Sequence, residues 1–227
     1  MEIVTFLNGI VARYINQDEF LPLGQNSLWM FVPGIAEQYD FKSVGQGAQG
    51  GVPVGDEPVL QNGSFTIDGQ VIPIIELRLQ TGRIVVNCSK TEQAEAFHRD
   101  LERFLIDHHK FRSVSREVPL AYASSLVVKS EGDIVGKIEI FRKMSSIISN
   151  GFNRSGQAGS LFPQSLKFSG TTKLGDGVQM SSFVVEERAG RPSGSGWVYT
   201  QASLTTEMHI EVLEALDLLT EGEATDA

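Results

Sequence analysis

The stretch FTIDGQVIPIIELRLQTGRIVVNCSKTEQAEAFHRDLERFL, Phe65 to Leu105, decides the fold. Its first part reads as strands. Phe65 to Ile67 leads into Asp68-Gly69, Val71 to Leu79 runs to Thr81-Gly82, and Arg83 to Cys88 returns. Asp-Gly and Thr-Gly between β-branched runs are hairpin signals, because tight hairpin turns need residues that accept a positive φ. The spacing predicts a three-stranded antiparallel meander. The second part changes period. Ser89 or Thr91 can accept a hydrogen bond from the first free N–H groups, and Glu92 and Glu95 suit the positive end of a helix. Ala94, Phe97, Leu101, Phe104, Leu105 and His108 then form one apolar stripe, ended by Asp107-His108-His109-Lys110.

Outward from this unit the signals weaken. Ile3, Val4, Phe6, Leu7, Ile10, Val11, Tyr14 and Ile15 recur at helical spacing, although Gly9 interrupts them. Ser27 to Pro33, SLWMFVP, reads as a short buried strand stopped by Pro-Gly. Residues 42–64 are rich in Gly, Gln and Pro and read as one long loop. In the second half, Leu120 to Lys129 reads as a strand. Ile134 to Ser149 fits a helix capped by Asp133 and stopped at Asn150-Gly151, and a return strand fits its first residues as well. Residues 151–164 read as a loop. Strands are expected at Leu166–Thr172, Gln179–Arg188 and Trp197–Gln201, with AGRPSGSG as a hairpin connector. A last helix is expected from about Leu204 to Leu219, burying Met208, Val212, Ala215, Leu216 and Leu219.

These elements predict an α+β fold, an antiparallel sheet with helices packed on one face. The two halves end alike, in ELRLQTGR…SKTEQAEAFHRDLERFL and VEERAGR…SLTTEMHIEVLEALDLL. Either an internal duplication or two ordinary β-hairpin–helix units would produce this. The expected organisation is a single domain over 1–220, divisible into halves 1–115 and 116–220, followed by an acidic flexible tail, 221–227.

Charge and composition exclude several classes. The 227 residues hold 28 acids and 19 bases, a net charge of −9. No Lys or Arg follows Arg191, whereas Glu207, Glu211, Glu214, Asp217, Glu221, Glu223 and Asp226 all do. Such a chain repels phosphate backbones at long range, so no nucleic-acid partner is expected. No apolar run approaches the roughly 20 residues of a membrane span, so no membrane partner is expected. The N-terminus lacks a signal peptide's basic region, and the single cysteine cannot form an internal disulfide. Both point to the cytoplasm.

The chemical motifs are sparse. Gly45, Gly47 and Gly50 spell G-x-G-x-x-G, but a dinucleotide site needs a strand before and a helix after. Here Pro53 follows, and no amphipathic helix begins. No cofactor is expected. His98, Glu102 and His109 share a helix face. That pattern suits a metal or an ordinary solvated face, and the latter is the reading adopted, with no metal. Cys88 ends a strand just before a helix N-terminus, where the dipole can lower a thiol pKa. A lone strand cysteine is more often a small core residue. Arg188, Arg191, Trp197 and Tyr199 combine arginine with aromatics around one hairpin, which is the composition of a binding surface.

The functional expectation is therefore non-catalytic: an interaction or assembly protein that forms homo-oligomers or docks on a larger complex, with a protein or a second copy of itself as partner. Two alternatives stay open. One is a small-molecule binder or enzyme in a cleft between the halves, using Cys88, His98 and Arg188. The other is a structural component of a phage-like particle.

Overall fold

In the computed structural model the chain is described over residues 1–16, 20–22, 28–49, 52–80, 82–113, 119–130, 139–154, 163–174, 177–192 and 195–222. The meander forms as its turns dictate: β3 (Val52–Ile67), β4 (Gln70–Gln80) and β5 (Arg83–Cys88). Asp68, Gly69 and Gly82 take the positive φ values, 49°, 77° and 81°, that let the chain reverse within two residues. The register Thr66↔Val71 and Leu79↔Ile84 follows from those turns.

The other elements along the described chain are β1 (Glu2–Tyr14), a 3-10 turn (Leu28–Phe31), α1 (Val32–Gln38), β2 (Ser43–Gln49), α2 (Thr91–His109), β6 (Leu120–Lys129), α3 (Glu139–Arg154), β7 (Ser165–Leu174), β8 (Gly177–Glu187), β9 (Trp197–Ala202) and α4 (Thr206–Gly222). The result is an α+β fold. The nine strands form one antiparallel sheet in the order β2-β3-β4-β5-β1-β6-β9-β8-β7. The chain divides into two compact units, one of residues 8–124 with 173–178, the other of residues 1–7, 125–172 and 179–227.

In the first of these units, Ala94, Phe97, Leu101 and Leu105 of α2 bury against Leu77 and Leu79 of β4, Val86 and Cys88 of β5, and Val11 of β1. Aromatic rings close the core edge to face: Tyr39 and Phe97 lie 4.8 Å apart, Phe31 and Phe111 4.6 Å. The α2 start differs slightly from expectation. Lys90 is the capping residue, and its N–H donates to Gln93 Oε1 at 3.2 Å. Other polar side chains bond along and across the strands. Gln61 donates to Glu76 at 3.2 Å, Arg78 to Glu76 at 2.5 Å, and Gln80 to Glu57 at 2.7 Å.

Three expectations for this region are corrected. Residues 2–14 are a strand, not a helix. Their apolar residues fall on both sides of the strand, which mimics helical spacing, and Gly9 is there for closeness. A Cβ on Gly9 would lie 2.1 Å from the carbonyl carbon of Lys90. Of SLWMFVP, Leu28 to Pro33 are helical, not extended, and Ser27 lies outside the described residues. Leu28, Phe31, Val32 and Ile35 are all buried, at helical spacing, and Pro33 sits in the first turn of α1, where its missing N–H costs nothing. Most of residues 42–64 are not a loop: 43–49 and 52–64 are strand, paired as in Val44↔Leu60, with a register shift between Gln46 and Ala48, and residues 50 and 51 lie outside the described residues.

In the other unit, Leu126, Val128, Leu166, Val185, Val198 and Leu213 form the core, with Met1, Ile3 and Phe6 packed against it. Helix α3 replaces the open choice over 134–149, although residues 131–138 lie outside the described residues. It runs through Asn150-Gly151 to Arg154, because a mid-helix glycine costs only about 1 kcal/mol. Helix α4 faces inward with a different stripe from the one expected. Thr206, His209, Leu213 and Asp217 are buried, whereas Met208 is 54% exposed. The buried polar groups have partners: His209 hydrogen-bonds Thr200, and Asp217 takes the Met1 ammonium at 2.8 Å and the Ser130 hydroxyl at 2.6 Å. The helix continues to Gly222, and residues 223–227 of the expected tail lie outside the described residues.

Candidate functional site

The hairpin between β8 and β9 gathers the arginine–aromatic set. Glu187↔Val198 is the last ladder pair. Beyond it the Arg188 N–H donates to the Trp197 carbonyl at 2.9 Å, and the Arg191 N–H to the Arg188 carbonyl at 3.2 Å. Gly190 and Gly196, at φ 81° and 74°, make the bends that only glycine adopts at low cost. The chain therefore folds Arg191 back over the indole, its guanidinium carbon 4.4 Å from the Trp197 ring centre. Arg188 stands at 5.8 Å.

A third cation comes from elsewhere. The Ser130 N–H donates to the Gly196 carbonyl at 2.9 Å, which fastens the end of β6 to the start of β9. Lys129 is thereby placed with its ammonium 6.0 Å from the same ring. Strand alternation turns Val198 and Thr200 into the core and leaves Trp197 and Tyr199 half-buried on the opposite side. The Tyr199 hydroxyl donates to Gln201 Oε1 at 3.3 Å and reaches Ser125 Oγ at 3.5 Å. Among the described residues, none of the three cations forms an ion pair with a carboxylate. One cation on an exposed indole gains about 0.5–1 kcal/mol. An anionic group beside an apolar one is the chemical complement of three cations gathered on one ring.

No family model, curated protein or solved structure matches this chain. The site stands on its own geometry.

Arg188, Arg191 and Trp197 are thus brought together, with Tyr199 next along the strand. Lys129 was missed by sequence reasoning. It lies sixty-odd residues away, and only the β6–β9 pairing makes it a neighbour. The motif Gly45, Gly47, Gly50 forms no phosphate cradle among the described residues. Gly45 and Gly47 are in β2, open space surrounds the Gly45 Cα, and Gly50 lies outside the described residues.

The remaining candidates are structural in their surroundings. Cys88 is fully buried, and burial pushes its thiol up to about 12, opposite to the activation a helix dipole would give. His98 is not on a solvated face. It is buried, its Nε2 lies 3.1 Å from the Val11 carbonyl, and burial lowers its pKa to about 4. Glu102 pairs with Arg13 at 2.5 Å, and His109 packs edge to face on Phe31. No group of three metal-ligating side chains occurs among the described residues. A cavity beside His98, Arg13 and Glu102 measures ≈ 10 Å³, room for about one water and not for an organic substrate. No described helix is long and apolar enough to cross a membrane.

Proposed function

We propose that the protein is a non-catalytic cytoplasmic interaction or assembly protein, which self-associates or docks on a larger complex. Its contact surface includes Arg188, Arg191, Trp197 and Tyr199, extended by Lys129. The observation that carries this reading is the set of three cations within 6.0 Å of one half-buried indole, none of them ion-paired among the described residues. An acidic segment of a protein partner fits it: carboxylates meet the guanidinium forks, and an adjoining apolar side chain covers the ring. The burial of Cys88 and His98 supports a role without chemistry at those groups.

Native mass spectrometry of the protein purified gently from its own cells tests this. The expected result is a multimer or a complex with another protein, lost on Arg188→Glu/Arg191→Glu substitution. A monomer carrying a stoichiometric small-molecule adduct would overturn the reading.

A further inference from the structure

Helix α4 runs back along β9 towards the Trp197 cations. His209 hydrogen-bonds Thr200 in mid-strand, and about two turns later Asp217 takes the Ser130 hydroxyl at 2.6 Å. The Ser130 N–H in turn donates to the Gly196 carbonyl at 2.9 Å, one residue before Trp197. All of these residues belong to one compact unit. The helix continues from Asp217 to Gly222, about 7.5 Å further. It therefore passes the start of β9, where the hairpin holds Arg188 and Arg191.

The charges brought to that place are opposite. No Lys or Arg follows Arg191, whereas Glu214, Asp217, Glu221, Glu223 and Asp226 fall in the last turns of α4 and just beyond. The helix dipole adds partial negative charge at the same end, and α4 has no basic residue in its last turn to offset it. Lys129, Arg188 and Arg191 stand within 6.0 Å of the Trp197 ring. The ring lies on the sheet face opposite α4, but Trp197 is the first residue of β9, at the rim of the sheet. Layers pack about 10 Å apart, and the five residues after Gly222 span up to about 17 Å when extended, enough to pass round that rim. So short a tether holds the segment at a millimolar effective concentration, which favours its own chain over a second copy.

We infer that the acidic segment of residues 221–227 covers the Trp197 cations of its own chain and competes there with an acidic partner segment. This rests on the reading of those cations as a contact surface, and adds its regulation: a partner must displace the segment to bind.

Two measurements on the full chain test it. The first is fluorescence anisotropy of a labelled peptide of sequence EGEATDA. Glu221→Gln/Glu223→Gln/Asp226→Asn, which keeps the chain length, binds the peptide about tenfold more tightly than wild type. Adding Arg188→Glu/Arg191→Glu abolishes that binding. The second uses a carbodiimide, which joins an amine directly to a carboxylate, on an equal mixture of isotopically light and heavy protein. Mass spectrometry then finds Lys129 linked to Glu221, Glu223 or Asp226 within one chain. Peptide bound equally by wild type and the neutralised variant, and lost on Arg188→Glu/Arg191→Glu, means that the site is open; this overturns the inference and leaves the contact surface intact. Links that join light to heavy chains assign the segment to a second copy and overturn it as well. Peptide bound by neither protein, with no link at Lys129, overturns both the inference and the reading beneath it.

Discussion

Gly9→Ala is the sharpest test of the fold. Gly9 pairs with Cys88, where β5 ends and the chain enters α2. A methyl group there would lie 2.1 Å from the Lys90 carbonyl carbon, 2.3 Å from the Thr91 nitrogen and 2.5 Å from the Lys90 Cα. All three are backbone atoms, so no side-chain rotation relieves the contact. Strand β1 and the start of α2 must part by about an ångström, which disturbs Val11 and Phe97 in the core. Overpacking of this kind costs typically 1–3 kcal/mol, and a backbone-on-backbone clash belongs at about 3. For a chain of this size that lowers Tm by about 6–12 °C. Gly45→Ala is the control: its Cβ would meet nothing within 4 Å, so Tm should hold or rise slightly. Thermal and urea unfolding of both variants decide it. A Gly9→Ala protein as stable as wild type would falsify the close approach of β1 to α2.

Acid should destabilise both units. Burial lowers His98 and His209 to about 4, so both stay neutral when folded while the unfolded chain takes up protons near 6.5. Their contribution is intact above about pH 6.5 and is lost as pH falls through that value towards 4, about 2 kcal/mol per histidine by pH 5. Urea midpoints that stay level between pH 7 and 5 would contradict this. Cys88 should resist an aromatic disulfide reagent in the native state and react at once in urea, because its thiol is buried; immediate native labelling would refute that placement. Tyr39→Phe removes the hydroxyl bond to Asp100 at 3.0 Å, and urea unfolding should show a loss of about 1 kcal/mol, modest because water can replace it at a half-exposed carboxylate.

Particular residues show why some of this was legible in the sequence. Asp68, Gly69 and Gly82 announce their turns by chemistry, and the α2 stripe announces its face, because both signals are local. Residues 43–49 and 52–64 announce nothing: strands of Gly, Gln and Val held by their neighbours' backbones have the composition of a loop. In α4 the sequence favours burying Met208 and Val212. The structure buries His209 and Asp217 instead, since Thr200, Ser130 and the Met1 ammonium satisfy them. Those partners are distant in sequence, as Lys129 is from Trp197, and no window along the chain contains them together.

The division of β1 also bears on how the chain is made. Residues 1–7 belong with a unit whose next residue is Ser125. During synthesis Met1, Ile3 and Phe6 are made more than a hundred residues before their partners Leu126, Val128 and Leu213. Residues 8–113, with α2 and the meander, can gather their core meanwhile. Residues 1–7 must wait until Leu213 has been made, a long loop to close before that unit's core is complete. A fragment that begins at Ser125 never receives them.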